Sequence, residues 1–153
     1  MIYEVVCRHM KTKDFLNQLD HEKIVAAIRK AELKTSGEIR VFVSRKHIEA
    51  PVTVAQQHFL RMGMTCTRER NAVLIFVAPL SHKFAVVGDV GIHKRCGDEF
   101  WRKLAEEMTD HFKHSDFTTG LVQGIRTAGK LLAEYFPRRP DDVNELPDEV
   151  EHD

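Results

Sequence analysis

The residues best equipped for chemistry in this chain are Glu38, Asn71 and Asp89, together with the loop Arg68-Glu69-Arg70-Asn71. Glu38, Asn71 and Asp89 carry the hard oxygen donors that calcium or magnesium prefers. Arg68 and Arg70 carry a forked guanidinium that can grip two phosphate oxygens at once. Such a set suits a site for a phosphate ester, provided the fold gathers it. Asp89 stands where one strand pattern ends, whereas Glu38 and Asn71 stand where two others begin. Ligands of open α/β sheets collect beyond the carboxyl ends of strands, so convergence depends on strand direction. The plainer alternative makes Glu38 and Asp89 capping or turn residues and the arginines a solvated loop.

A second group is Gly88-Asp89-Val90-Gly91-Ile92-His93. A glycine-rich turn ahead of a helix can offer backbone N–H groups to an anion. It lacks the GK[ST] ending of a P-loop and is not GxGxxG. His93 could accept a phosphoryl group or act as an acid, although a lone histidine at a helix start is more often structural. In His111-Phe112-Lys113-His114-Ser115-Asp116 two histidines three apart share a helix face and could hold zinc or nickel. Asp116 is better explained there as an N-cap. Cys66 and Cys96 have no activating neighbours, and no GxSxG occurs.

Positioning these groups falls to a chain of 153 residues, 42% apolar and 30% charged, as expected of one globular domain. Its 23 basic and 23 acidic residues cancel, so no global field favours nucleic acid or an anionic membrane. Three cysteines, Cys7, Cys66 and Cys96, form no CxxC pair and read as reduced thiols of a cytoplasmic protein. No apolar run approaches the roughly 20 residues of a membrane span. Residues 1–10 are too short, and too charged at Glu4 and Arg8, for a signal peptide, and Met10 offers an alternative start.

The first clear helix follows Asp20, with Ile24, Ala27, Ile28 and Ala31 at helical spacing until Thr35-Ser36-Gly37. A short helix or turn around Phe15 and Leu16 is expected before it. Residues 38–45 alternate as a strand. Residues 52–64 read as a helix, and 72–78 (AVLIFVA) as a strand buried on both faces. Residues 79–82 turn that strand into 83–88, making a hairpin. Asp98 could cap a helix carrying Phe100, Trp101, Leu104, Met108 and Phe112. Asp116 or Thr118 could open another that Pro137 closes. The proline-rich, acidic stretch from Arg138 onward is expected to be a disordered tail.

This order of elements resembles the TPM family, named after a thylakoid lumen protein, a photosystem II repair protein and a worm acetylcholine-receptor modulator. The landmarks are Thr35-Ser36-Gly37-Glu38-Ile39, Asn71 to Ala78, Gly88-Asp89-Val90-Gly91-Ile92 and Ser115-Asp116-Phe117-Thr118-Thr119-Gly120-Leu121. The resemblance spans roughly residues 19–136. It implies a compact α/β/α sandwich and, in some relatives, divalent-metal binding and weak acid phosphatase activity. This chain departs from the pattern at the hairpin turn, Leu80-Ser81, where aspartates are common. It departs again at GDVGIH, where a glycine–aromatic–glycine and then a glutamate are usual.

The expectation is therefore a three-layer α/β/α sandwich with a small mixed sheet of three or four strands. The domain covers 19–136, after an extension or short helix at 1–18 and before a disordered tail at 137–153. Glu38, Asn71 and Asp89 are the candidate ligands for calcium or magnesium. Asp89, Arg70 and His93 are the candidate catalytic groups. The function is either a weak metal-linked phosphatase or a non-catalytic module that binds another protein, with no nucleic acid and no membrane segment expected. The lost acidic positions favour the module.

Overall fold

The computed structural model describes residues 2–6, 19–114, 116–141 and 148–153. Cys7 and the short helix expected at Phe15 and Leu16 lie outside them. Three strands follow from the apolar patterns: β2 (Glu38–Val43), β3 (Ala72–Ala78) and β4 (Lys83–Gly88). The chain ends add β1 (Ile2–Val6) and β5 (Val150–His152), giving a mixed five-stranded sheet in the order β1-β4-β3-β2-β5. β2 runs parallel to β3, as the helix between them requires. β4 returns antiparallel through the Pro79–Ser81 turn, with His82 left-handed at φ 55°.

Four helices cover the sheet: α1 (His21–Glu32), α2 (Pro51–Arg61), α3 (Val90–Lys113) and α4 (Phe117–Tyr135). Strand alternation divides the core. Ile39, Val41, Val73, Ile75, Phe84 and Val86 face α1, α3 and α4. Phe42, Leu74, Phe76, Ala85 and Val87 face α2, which contributes Ala55 and Phe59. The molecule is thus the expected α/β/α sandwich, with three helices on one side and one on the other. Each fully buried large apolar side chain contributes roughly 1.5–3 kcal/mol. The three-helix layer, holding Trp101, Phe112, Phe117 and Phe136, therefore dominates stability.

Boundaries differ from expectation at three places, each with a local cause. α2 stops at Arg61 because Gly63 turns left-handed at φ 69°. The third helix starts at Val90 rather than after Asp98. Asp89 caps it, and Gly97 (φ 67°, ψ −169°) breaks it one turn before the apolar stripe begins. The acidic terminus is not wholly a disordered tail, because Val150–His152 pairs in parallel with Val41–Val43. Arg40, almost fully buried, ion-pairs with Glu151 there, and Asp153 accepts from Ser44 Oγ and from the Arg45 amide. Charge pairing rather than an apolar pattern holds that strand.

Candidate functional site

Because β4 is antiparallel to β3 while β2 is parallel to it, the end of β4 lies at the same edge of the sheet as the beginnings of β3 beside it and β2 one strand farther. Glu38 donates its amide to the Asn71 carbonyl at 3.4 Å, and Asp89 donates its own to Ala72 at 3.0 Å. Glu38, Asn71 and Asp89 thus share one end of the sheet. It is the amino end of the parallel strands, opposite the end where α/β ligands usually sit. Gly91 lets the start of α3 approach the Glu69-Arg70 turn, since a Cβ there would strike the carbonyl oxygens of Glu69 and Arg70. The Gly91 amide donates to Arg70 at 2.9 Å, and Arg70 bends left-handed at φ 52°. Holding a non-glycine residue in that region costs about 1 kcal/mol or more.

Side chains at this end divide into three partnerships. Arg70 takes Asp89 in a two-point grip, Nε to Oδ2 at 2.6 Å and Nη2 to Oδ1 at 2.8 Å. Oδ1 also accepts the Val90 amide at 2.8 Å, which makes Asp89 the cap of α3. Asp89 is only 4% exposed, whereas the Arg70 side chain is 45% exposed. The bond to Asp89 holds Arg70 above the ordinary guanidinium pKa.

The second partnership joins Asn71, Ser36 and Glu69. Asn71 Nδ2 donates to Ser36 Oγ at 3.1 Å and to Glu69 Oε2 at 3.3 Å, and Ser36 Oγ donates to the same oxygen at 2.8 Å. Arg139 closes the other Glu69 oxygen at 2.5 Å. Asn71 is fully buried, and its Oδ1 accepts no hydrogen bond among the described residues.

Glu38 belongs with the third partnership, beneath α1. Glu32 is buried, accepts the Ile39 amide at 2.9 Å and is pushed up to about 10. Burial is the main cause, followed by a hydrogen bond with Asp148 and the nearby charge of Glu38. Glu32 is therefore a neutral acid at physiological pH, joined to Asp148, which also pairs with Arg29 at 3.5 Å. The sequence pattern marks none of Glu32, Asp148 and Arg139 as site residues, and Ser36 only as part of the helix stop. Only Glu32 left a signal there, since it falls four residues after Ile28 on the buried stripe of α1.

Both Asp89 oxygens already face the Arg70 guanidinium, and Arg139 engages Glu69, so a divalent cation would meet positive charge at those two carboxylates. Among the described residues no three His, Cys, Asp or Glu side chains gather as metal ligands. His93 is exposed on the first turn of α3, outside all three partnerships. His114 points Nδ1 at its own helix, 2.9 Å from the Asp110 carbonyl, and His111 lies 4.0 Å from Asp116. Burial pushes the Cys96 thiol up to about 11, so it is not a thiolate at neutral pH.

The family model of the TPM domain matches residues 10–131, most of the chain. This chain belongs to the TPM-domain family. The TPM fold is also that of the BA42 protein from the psychrophilic bacterium Bizionia argentinensis, solved by NMR. That structure superposes with a TM-score of 0.83 at 39% identity, covering 89% of this chain and 96% of its own. No curated protein matches the chain. Among the described residues of this TPM domain no helix is long and apolar enough to cross a membrane.

Proposed function

We propose that this TPM domain is a non-catalytic binding module that recognises another protein. The observation carrying this reading is the closure of the sheet end upon itself. Asp89, the acid best placed for chemistry, is buried and held at two points by Arg70. A base or nucleophile needs a lone pair directed at substrate, and here both oxygens are committed to the protein. The rival, a weak phosphomonoesterase with Glu38, Arg70, Asn71 and Asp89 in its pocket, would have to break that pair before its first step. A reducing, cytoplasmic setting belongs to the same reading and is supported by Cys66 and Cys96, both free thiols.

The test is hydrolysis of p-nitrophenyl phosphate at mildly acid and neutral pH, with chelator, calcium or magnesium, by the wild-type protein and Asp89→Asn. The module reading expects equal background rates from both proteins in every buffer, and calorimetry expects no calcium or magnesium binding. A metal-stimulated rate that Asp89→Asn abolishes would overturn it in favour of the phosphatase.

A further inference from the structure

α1 and α4 lie side by side and run in the same direction. The Asp20 amide donates to Thr118 Oγ1 at 3.1 Å near their starts, and Gly129 packs on Ala31 near their ends, where a Cβ would come within 2.6 Å of the alanine's own. Small residues keep the seam shallow, and a groove of about 1140 Å³ opens along it, floored by Ala27, Ala31 and Gly129. Lys30 and Lys34 rise from one wall, Arg126 and Lys130 from the other, all four exposed.

These four cations gather in one groove without ion-pair partners among the described residues. Lys23 pairs with Asp20, Arg29 with Asp148, Arg40 with Glu151 and Arg139 with Glu69, whereas none of the four forms an ion pair among the described residues. On α4, Arg126 and Lys130 are like charges four residues apart, a spacing that destabilises a helix. Lys30 stands in the last turn of α1 and Lys34 just beyond it, where the helix dipole favours cations. Arg126 and Lys130 sit inside α4, out of reach of that term. In a chain of zero formal charge, these four exposed cations make a local positive field along this part of the groove.

We infer that the α1/α4 groove is the docking site for an acidic peptide segment of a partner protein, its carboxylates meeting Lys30, Lys34, Arg126 and Lys130. An apolar floor of small residues between charged walls suits an amphipathic helix laid into it. The far end of the groove carries Asp20 and Asp116. A uniform polyanion such as a nucleic-acid strand or an anionic bilayer would meet repulsion there, whereas a short acidic segment ends before it. This inference rests on the binding-module reading and supplies its partner class.

The experiment is fluorescence anisotropy with a labelled amphipathic peptide of Glu, Ala and Leu. Its Lys-for-Glu counterpart, a single-stranded oligonucleotide and phosphatidylserine vesicles serve as competing probes. Wild-type protein is expected to bind the acidic peptide, more weakly as salt rises. Arg126→Glu with Lys130→Glu should weaken binding by about tenfold or more. The exposed pair Lys94→Glu with Lys103→Glu on α3, an equal change in charge, should leave it within about twofold. Unchanged melting temperatures would confirm that both variants fold. Absence of binding, equal loss in both double variants, or tighter binding of the oligonucleotide or vesicles would each overturn the inference. None of these results touches the phosphatase assay, so failure of the groove and failure of the module reading remain distinguishable.

Discussion

Gly88 carries no side chain because the ring of Trp101, fully buried, fills the space a Cβ would take. Trp101 cannot retreat, since Phe100 stacks edge-on at 4.7 Å and the three-helix core closes around it. Gly88→Ala should therefore act as overpacking and cost roughly 1–3 kcal/mol. That would lower the melting temperature by roughly 2–4 °C per kcal/mol. In a Trp101→Phe background the clash is relieved, so the same substitution should cost distinctly less. Strict additivity in the double-mutant cycle would show that the ring is not the obstacle. The sheet end shows what was legible at this scale. That Glu38, Asn71 and Asp89 begin or end strands was visible as sequence pattern, but Arg70 turning back onto Asp89 was not. It depends on a left-handed residue that no glycine marks. Pairing across 19 residues is a tertiary outcome that composition does not encode.

At the scale of elements, sequence patterning missed both edge strands, β1, where an extension or short helix was expected, and β5, whose cause is the clearer. Three residues are too few for alternation to register, and Val150 is the one apolar residue among them. What fixes it is charge. Arg40, with 5% of its side chain exposed, meets Glu151, and Asp148 reaches both Glu32 and Arg29. β2, β3 and β4 were legible for the opposite reason, because continuous or alternating apolar runs leave few other folds open. Deleting residues 148–153 should strand Arg40 in the sheet without its carboxylate and bare the edge of β2. Loss of one partner from a buried pair costs about 3–5 kcal/mol. Glu151 is 39% exposed, so roughly 1–2 kcal/mol is expected from that pair. Urea denaturation should show the loss, and Arg40→Met in the truncated chain should recover part of it. The bared edge should also raise aggregation in light scattering. A truncated protein as stable and monodisperse as the full chain would mean that β5 adds nothing to the sheet.

Across the whole molecule, two titrating groups, buried Glu32 and half-buried His58, pull the pH dependence of stability in opposite directions. Glu32 is raised from 4.5 to about 10, chiefly by burial. Below pH 4.5 it is protonated folded or unfolded; above that the unfolded chain releases the proton and the folded chain keeps it. Its contribution is therefore full at acid pH and is lost as pH rises toward 10. His58, whose ring centroid lies 4.1 Å from that of Phe42, is lowered from 6.5, first by burial and then by Arg61. The unfolded chain takes up that proton first, so stability falls as pH drops below 6.5. Asp153 is held below its ordinary 3.8 by Ser44 Oγ and the Arg45 amide, against burial, and its contribution is lost in still stronger acid. The sum places maximal stability on the mildly acid side, between about pH 4.5 and 6.5, with a long decline toward alkaline pH. The decline should approach on the order of 1 kcal/mol per pH unit at its steepest, the limit set by a single proton. Glu32→Gln keeps an acceptor for the Ile39 amide and a donor for Asp148 while removing the ionisation. It should flatten the alkaline limb and leave the variant more stable than wild type at pH 8 to 9, a range that lies between the unfolded and folded values of Glu32. Denaturant midpoints measured across that range would decide. An alkaline slope that survives the substitution would mean that Glu32 ionises inside the folded protein and that another group sets the decline.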